Sequence, residues 1–149
     1  MRLLLAIDDS AYSRAAVDAV IAQYRRDGTE VLVLNVIEWP AELSASLVFT
    51  PGEESAGPVM DLREDARRQS EELLGRAAEQ LRAAGFSVSC EMREGDARHV
   101  ILERAAEWRP DLIVVGSHGR TGLDRFLLGS VFENVVRHAP CSVAVVRGA

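Results

Sequence analysis

Five short apolar segments alternate along the chain with helical patterns, and this rhythm restricts the fold more than any other feature of the sequence. The segments are Leu3–Asp8, Glu30–Ile37, Phe86–Arg93, Asp111–Ser117 and Ser142–Val146. Strands separated by helices connect in parallel, so the chain is expected to be α/β, a mostly parallel sheet with helices on its faces. Leu3-Leu4-Leu5-Ala6-Ile7, Val31-Leu32-Val33-Leu34 and Leu112-Ile113-Val114-Val115 are apolar without interruption, as in strands covered on both sides, and fall to the centre of the sheet. Phe86, Val88, Cys90 and Met92 alternate instead with Ser87, Ser89, Glu91 and Arg93, so that strand buries one face and belongs at an edge. The last strand carries Val143, Ala144, Val145 and Val146 in a row. An edge that apolar invites aggregation unless a partner chain covers it, which predicts a homodimer through residues 142–146.

The helices are legible from their ends as well as their faces. Ser10 caps a first helix with Val17, Val20, Ile21 and Tyr24 as its apolar stripe and Gly28 as a left-handed stop. A second begins near Pro58, sets Leu74, Ala77, Ala78 and Leu81 on one face, and stops at Gly85. Asp96 caps a third, in which Val100, Ile101, Ala105 and Trp108 face inward and which Pro110 closes. The fourth starts at Ser130, where Ser130 and Glu133 fit a capping box, and ends before Pro140. Residues 39–57 show no period and contain Pro40, Pro51, Gly52 and Gly57, so they are read as a long surface loop.

A chain of 149 residues with no linker-like stretch reads as one domain, residues 1–149. Its 48% hydrophobic content and near-zero mean hydropathy are those of an ordinary globular protein. Seventeen basic against 23 acidic residues give a net charge of −6, with no basic cluster dense enough to track a phosphate backbone, so nucleic acid is excluded as a partner. No apolar run reaches membrane-spanning length and no signal segment is visible at the start, so a soluble, cytoplasmic protein without membrane contact is expected. Cys90 and Cys141 have neither CxxC spacing nor a His cluster nearby; they read as small buried hydrophobes, and no metal site is assigned.

In an open parallel sheet, ligands bind beyond the C-terminal ends of the strands, here after Ile7, Val36 and Val115. After Val115 the chain runs from Gly116 through Ser117, His118, Gly119, Arg120, Thr121 and Gly122 to Gly129 and Ser130, a glycine-rich loop from a strand to a helix start. Gly116 and Gly119 would let backbone amides approach an anion without side-chain obstruction. Gly129 and Ser130 would bring the unpaired amides of the helix start, and Ser130 a hydroxyl. The loop is neither a Walker A sequence nor G-x-G-x-x-G. Taken alone, the spacing leaves open that the glycines serve only turns and Ser130 only a cap.

The pattern G-x-x-G, nine residues, then G-[ST], as Gly116, Gly119, Gly129 and Ser130, resembles the nucleotide-binding signature of the universal stress protein family in its ATP-binding branch. The likeness extends over nearly the whole chain, through Ala6-Ile7-Asp8-Asp9-Ser10, Asn35-Val36-Ile37 and Ala139-Pro140-Cys141-Ser142-Val143. It implies a five-stranded parallel sheet of order 3-2-1-4-5 with helices on both faces, a Rossmann-like fold of the adenine nucleotide alpha hydrolase kind. Cys90 and Cys141 would then lie on opposite edges, unable to pair. Asp8 and Gly116 would flank one crevice at the switch point between strands 1 and 4.

The resemblance further implies that Asp8 contacts the ribose or adenine side of a nucleotide, that the Val36 backbone reads the adenine edge, and that Ala6 and Ile7 add apolar contact near the base. Gly116, Gly119, Gly129, Ser130 and Val131 would hold ribose and phosphates, with Val115 behind them. Read on their own, Asp8 also suits a cap shared with Ser10, and Val36 suits the core. Arg120 and Arg125 are candidates for phosphate contact, whereas His118 reads as a loop residue without a nucleophile or orienting carboxylate beside it. His99 and His138 fall on helices. ATP would bring Mg²⁺ held by water and phosphate oxygens. These features imply an ATP-binding stress-response or regulatory module with no robust enzymatic activity. The alternatives are a slow ATP hydrolase or phosphotransferase, or a nucleotide-free interaction protein of the same fold.

Overall fold

The structure is a computed structural model and describes residues 1–40, 56–118 and 129–148. Its elements are β1 (Arg2–Ala6), α1 (Ala11–Gln23), β2 (Glu30–Ile37), α2 (Ala56–Ala83), β3 (Ser87–Glu94), α3 (Ala97–Trp108), β4 (Leu112–Gly116), α4 (Ser130–His138) and β5 (Ser142–Val146). The five strands form one sheet in the order β3-β2-β1-β4-β5, and every pairing is parallel. The three uninterrupted apolar runs are the three central strands, as their composition requires.

Alternation along those strands divides the core in two. Leu3, Leu5, Val31, Val33 and Val114 point to the face covered by α1 and α2, where Val17, Val20, Leu74, Ala77 and Leu81 meet them. Leu4, Leu32, Leu34, Ile113 and Val115 point to the other face, against Ile101 and Ala105 of α3 and Val135 of α4. Each fully buried Leu or Val is worth about 1.5–3 kcal/mol in apolar burial, so two such layers hold the sheet from both sides.

Helix ends follow the sequence where a side-chain cap is available. The Ser10 hydroxyl accepts from the Ser13 amide at 3.2 Å, and the Asp96 carboxylate accepts from the Arg98 amide at 2.9 Å. At the end of α2 the Gly85 amide donates to the Arg82 carbonyl at 2.9 Å and the Phe86 amide to the Leu81 carbonyl at 3.0 Å. This paired closure needs a left-handed residue, and Gly85 supplies it at φ +96°.

Four expectations change. Gly28 has φ +70°, yet α1 has already ended at Gln23; the glycine serves the turn into β2, where the Thr29 amide donates to the Arg26 carbonyl. Ala56 and Gly57 open α2 and so leave the expected 39–57 loop; its residues 41–55 lie outside the described ones. Ser130 is the first helical residue of α4, not its cap: Gly129 holds the cap position, and no side chain there makes a capping bond. Cys90 is exposed and Cys141 half-buried, both free. β3 is an edge strand with a neighbour on one side only, and Cys90 there stays exposed although its Sγ lies 3.8 Å from the Leu74 carbonyl of α2. The two cysteines do stand on opposite sides of the sheet.

The two edges differ in chemistry. On β3, Glu91 pairs with Arg93 and with Arg104 of α3, and Glu107 pairs with Arg93 at 2.8 Å, a charged fence along that edge. β5 carries only half-buried Val143, Ala144, Val145 and Val146 after exposed Ser142.

Candidate functional site

The C-terminal ends of β1 and β4 lie side by side, and each is fixed by its own network. Beyond β1 the Ile7 amide continues the pairing by donating to the Leu34 carbonyl at 2.9 Å. Its carbonyl accepts from the Asn35 side-chain amide at 2.8 Å, and Asn35 Oδ1 accepts from the Ser70 hydroxyl at 2.6 Å. Asn35 and Ser70 are both buried, so this chain of hydrogen bonds ties the end of β1 to β2 and α2. Asn35 was legible in the sequence only as part of a family likeness; its role depends on a partner 35 residues away.

Asp8 follows directly. Its amide donates to the Ser13 hydroxyl at 2.8 Å, and its Oδ1 accepts from the Ser10 amide at 3.0 Å and the Ser13 hydroxyl at 2.7 Å. The carboxylate therefore does help close the start of α1, the plainer of its two readings. Oδ2 makes no hydrogen bond among the described residues, and Asp8 is only half-buried, which leaves an acceptor at the strand end.

At the end of β4, Gly116 packs on α1: a Cβ there would lie 2.8 Å from Tyr12 Cβ and 3.1 Å from the Tyr12 carbonyl carbon, so the missing side chain makes room for Tyr12. Ser117, 1% exposed, donates its amide to the Val146 carbonyl at 2.8 Å, and its carbonyl accepts from the Gly129 amide at 3.2 Å. Its hydroxyl lies 3.0 Å from His118 Nδ1. The two ends of the glycine-rich loop are thus brought together, while Gly119, Arg120 and Arg125 fall outside the described residues.

The Gly129 amide, which the sequence offers as an anion donor, is engaged by the Ser117 carbonyl. The first amide to find a partner in α4 is that of Glu133, which donates to the Gly129 carbonyl at 3.0 Å. The amides of Ser130, Val131 and Phe132 have no capping partner among the described residues, in contrast with the starts of α1 and α3. An uncapped helix start carries partial positive charge and attracts anions. Ser130 is exposed beside those amides; Val131 is half-buried against the α3/α4 layer.

The remaining candidates lie in the two core layers. Ile7 and Val115 are buried, and Ala6 and Val36 are half-buried; Ile7 packs with the α1/α2 layer and the other three with the α3/α4 layer. His118 rests its ring on that of Tyr12 with centroids 4.9 Å apart. His138 Nδ1 engages the Asn134 carbonyl and His99 approaches Asp96 at 3.7 Å, both structural roles on helices.

A feature missed in the sequence lies beyond β2 and β3. Glu38, Trp39, Gly95 and Asp96 line a cavity of about 410 Å³. Glu38 accepts from the Ala97 amide at 2.8 Å, so two carboxylates close the start of α3. Trp39 donates its indole N–H to Glu94 at 3.1 Å, and Arg67 holds the same carboxylate at 3.0 Å. Arg98, hydrogen-bonded to the Asp96 carboxylate, holds its pKa down to about 2, and Arg67 with Trp39 lowers that of Glu94. The first two amides of this helix are thus already met by carboxylates, unlike those of α4 among the described residues. No group of three or more metal-ligating side chains occurs among the described residues.

Among the described residues no helix is long and apolar enough to cross a membrane. The profile of the universal stress protein family matches residues 1–147. Universal stress protein YxiE of Bacillus subtilis is 30% identical over 149 residues, covering 98% of each chain. The solved structure of universal stress protein UspA from Lactobacillus plantarum superimposes with a TM-score of 0.82 at 22% identity, over 99% of this chain and 97% of that one. A universal stress protein family member from Arabidopsis thaliana, solved with AMP bound, gives 0.71 at 20% identity over 100% and 92%. A universal stress protein in complex with cAMP gives 0.67 at 21% over 100% and 98%.

Proposed function

The chain belongs to the universal stress protein family, and from that membership we propose that it is a cytoplasmic regulatory module that binds ATP or a related adenine nucleotide and acts as a homodimer. The nucleotide lies across the ends of β1 and β4. Asp8 offers Oδ2 to a ribose hydroxyl or the base, the Val36 backbone meets the adenine edge, and Ala6 and Ile7 border the base. Phosphates lie at the amides of Ser130 and Val131 and the Ser130 hydroxyl, with Gly119 and Arg120 of the adjoining loop. Gly116, Val115 and Gly129 act as the frame that fixes these groups. Mg²⁺, if it accompanies ATP, is held by phosphate oxygens and water, the pattern this ion favours.

The observation that carries the reading is the start of α4. Of the three helices whose N-caps are described, α1 and α3 have side-chain caps, and α4 alone begins on a glycine, with no side-chain cap among the described residues, at the switch point of the sheet. Two fold neighbours whose bound molecules are AMP and cAMP support the nucleotide class.

Ser130→Asp tests it cleanly. A carboxylate at a helix start stabilises the helix by about 0.3–1 kcal/mol, yet it repels phosphate. The variant should therefore unfold no earlier than wild type while losing the thermal stabilisation that ATP confers. Equal stabilisation of both proteins by ATP, or no adenine nucleotide released on denaturing a fresh preparation for mass spectrometry together with no shift on adding ATP, would overturn the proposal.

A further inference from the structure

Tyr12 stands in the first turn of α1, one residue before Ser13, which binds Asp8. On its other side it meets three parts of the β4–β5 half. Its Cβ lies against Gly116, where an added Cβ would come to 2.8 Å. Its ring lies against Gly148, where an added Cβ would come to 3.1 Å from Cδ1, and it tilts by 39° on the ring of His118. Ser117, between Gly116 and His118, joins the end of β5 to Gly129 through its amide and carbonyl. One side chain thus separates the Asp8 side of the crevice from the Ser117–Gly129 side, and two glycines are shaped to it.

We propose that Tyr12 is a positioning residue: its ring sets the spacing between Asp8 and the paired ends of the glycine-rich loop, and through that spacing the affinity for nucleotide, without contacting the ligand. The second half rests on the nucleotide reading above; the first does not. The aromatic body carries the role, because its Cβ faces Gly116, Cδ1 and Cε1 face Gly148 and its ring meets that of His118, while the hydroxyl makes no hydrogen bond among the described residues.

The test uses the full chain with Tyr12→Ala, Tyr12→Leu and Tyr12→Phe. Without ligand, hydrogen exchange at the Ser117 and Gly129 amides should quicken about tenfold in the Ala and Leu variants and stay at the wild-type rate in the Phe variant, while amides in the central strands remain protected. Affinity for ATP and for AMP should fall about tenfold in the first two and be retained in the third. Unchanged exchange in both Ala and Leu variants, or a Phe variant behaving like Ala, would overturn the positioning role. Altered exchange with unchanged affinity would overturn its link to binding. A wild-type protein with no affinity for any adenine nucleotide would instead defeat the nucleotide reading and leave exchange to decide the role of Tyr12.

Discussion

Gly116 belongs to the glycine pattern that suggests phosphate binding, yet its missing side chain makes room for Tyr12. Gly116→Ala must push α1 away from β4, and overpacking of that kind costs about 1–3 kcal/mol. Urea unfolding of the ligand-free protein should show this loss; a variant as stable as wild type would mean that α1 yields easily. Single residues were legible where the deciding partner is close in sequence. Ser10 and Asp96 cap helices whose amides lie two or three residues on, and both were assigned from local pattern. Ser130 also fits a local rule, the capping box, but the choice is made by the Ser117 carbonyl, which holds the Gly129 amide across the loop. No local pattern encodes that contact. Cys90 was misread because its type is usually buried, whereas its strand has a neighbour on one side only.

The start of α3 shows what an element gains from concentrated charge. Asp96 and Glu38 meet its first amides, and replacing the cap by Asp96→Ala should cost about 1 kcal/mol in chemical unfolding. Its pH dependence has a definite sign. The folded pKa of Asp96 is held at about 2, below its ordinary 3.8, so its contribution is complete above roughly pH 4 and is lost as pH falls through 2. Glu91 and Glu94 are also lowered, Glu91 by Arg93 and Arg104 against the opposing effect of burial, and act in the same direction. The melting temperature should stay level from pH 7 to 5 and fall steeply below 4. In Asp96→Asn, which keeps a capping oxygen, that fall should be shallower; an identical acid limb in both proteins would remove Asp96 from the account. Elements were the best-read level of the sequence: β2 and β5 have the expected bounds, and the other strands differ by one or two residues at their ends. Periodicity fixes the existence of an element, whereas its last residue depends on where a tertiary hydrogen bond stops.

For the whole molecule, the apolar runs identified the three central strands and the alternating run identified one edge, while the complete strand order came with the family likeness. The proposed homodimer rests on the half-buried apolar β5 edge. Light scattering at micromolar concentration should report twice the 16.3 kDa chain mass, and a monomeric mass would refute it. The unequal edges also govern how far such association can go. A two-fold pairing through β5 consumes that strand in both copies, and what remains at either end of the doubled sheet is β3 with its rows of Glu91, Arg93, Arg104 and Glu107. Charge of that kind resists the addition of a further strand, so in the proposed dimer growth would terminate at two copies and would not run on into fibres.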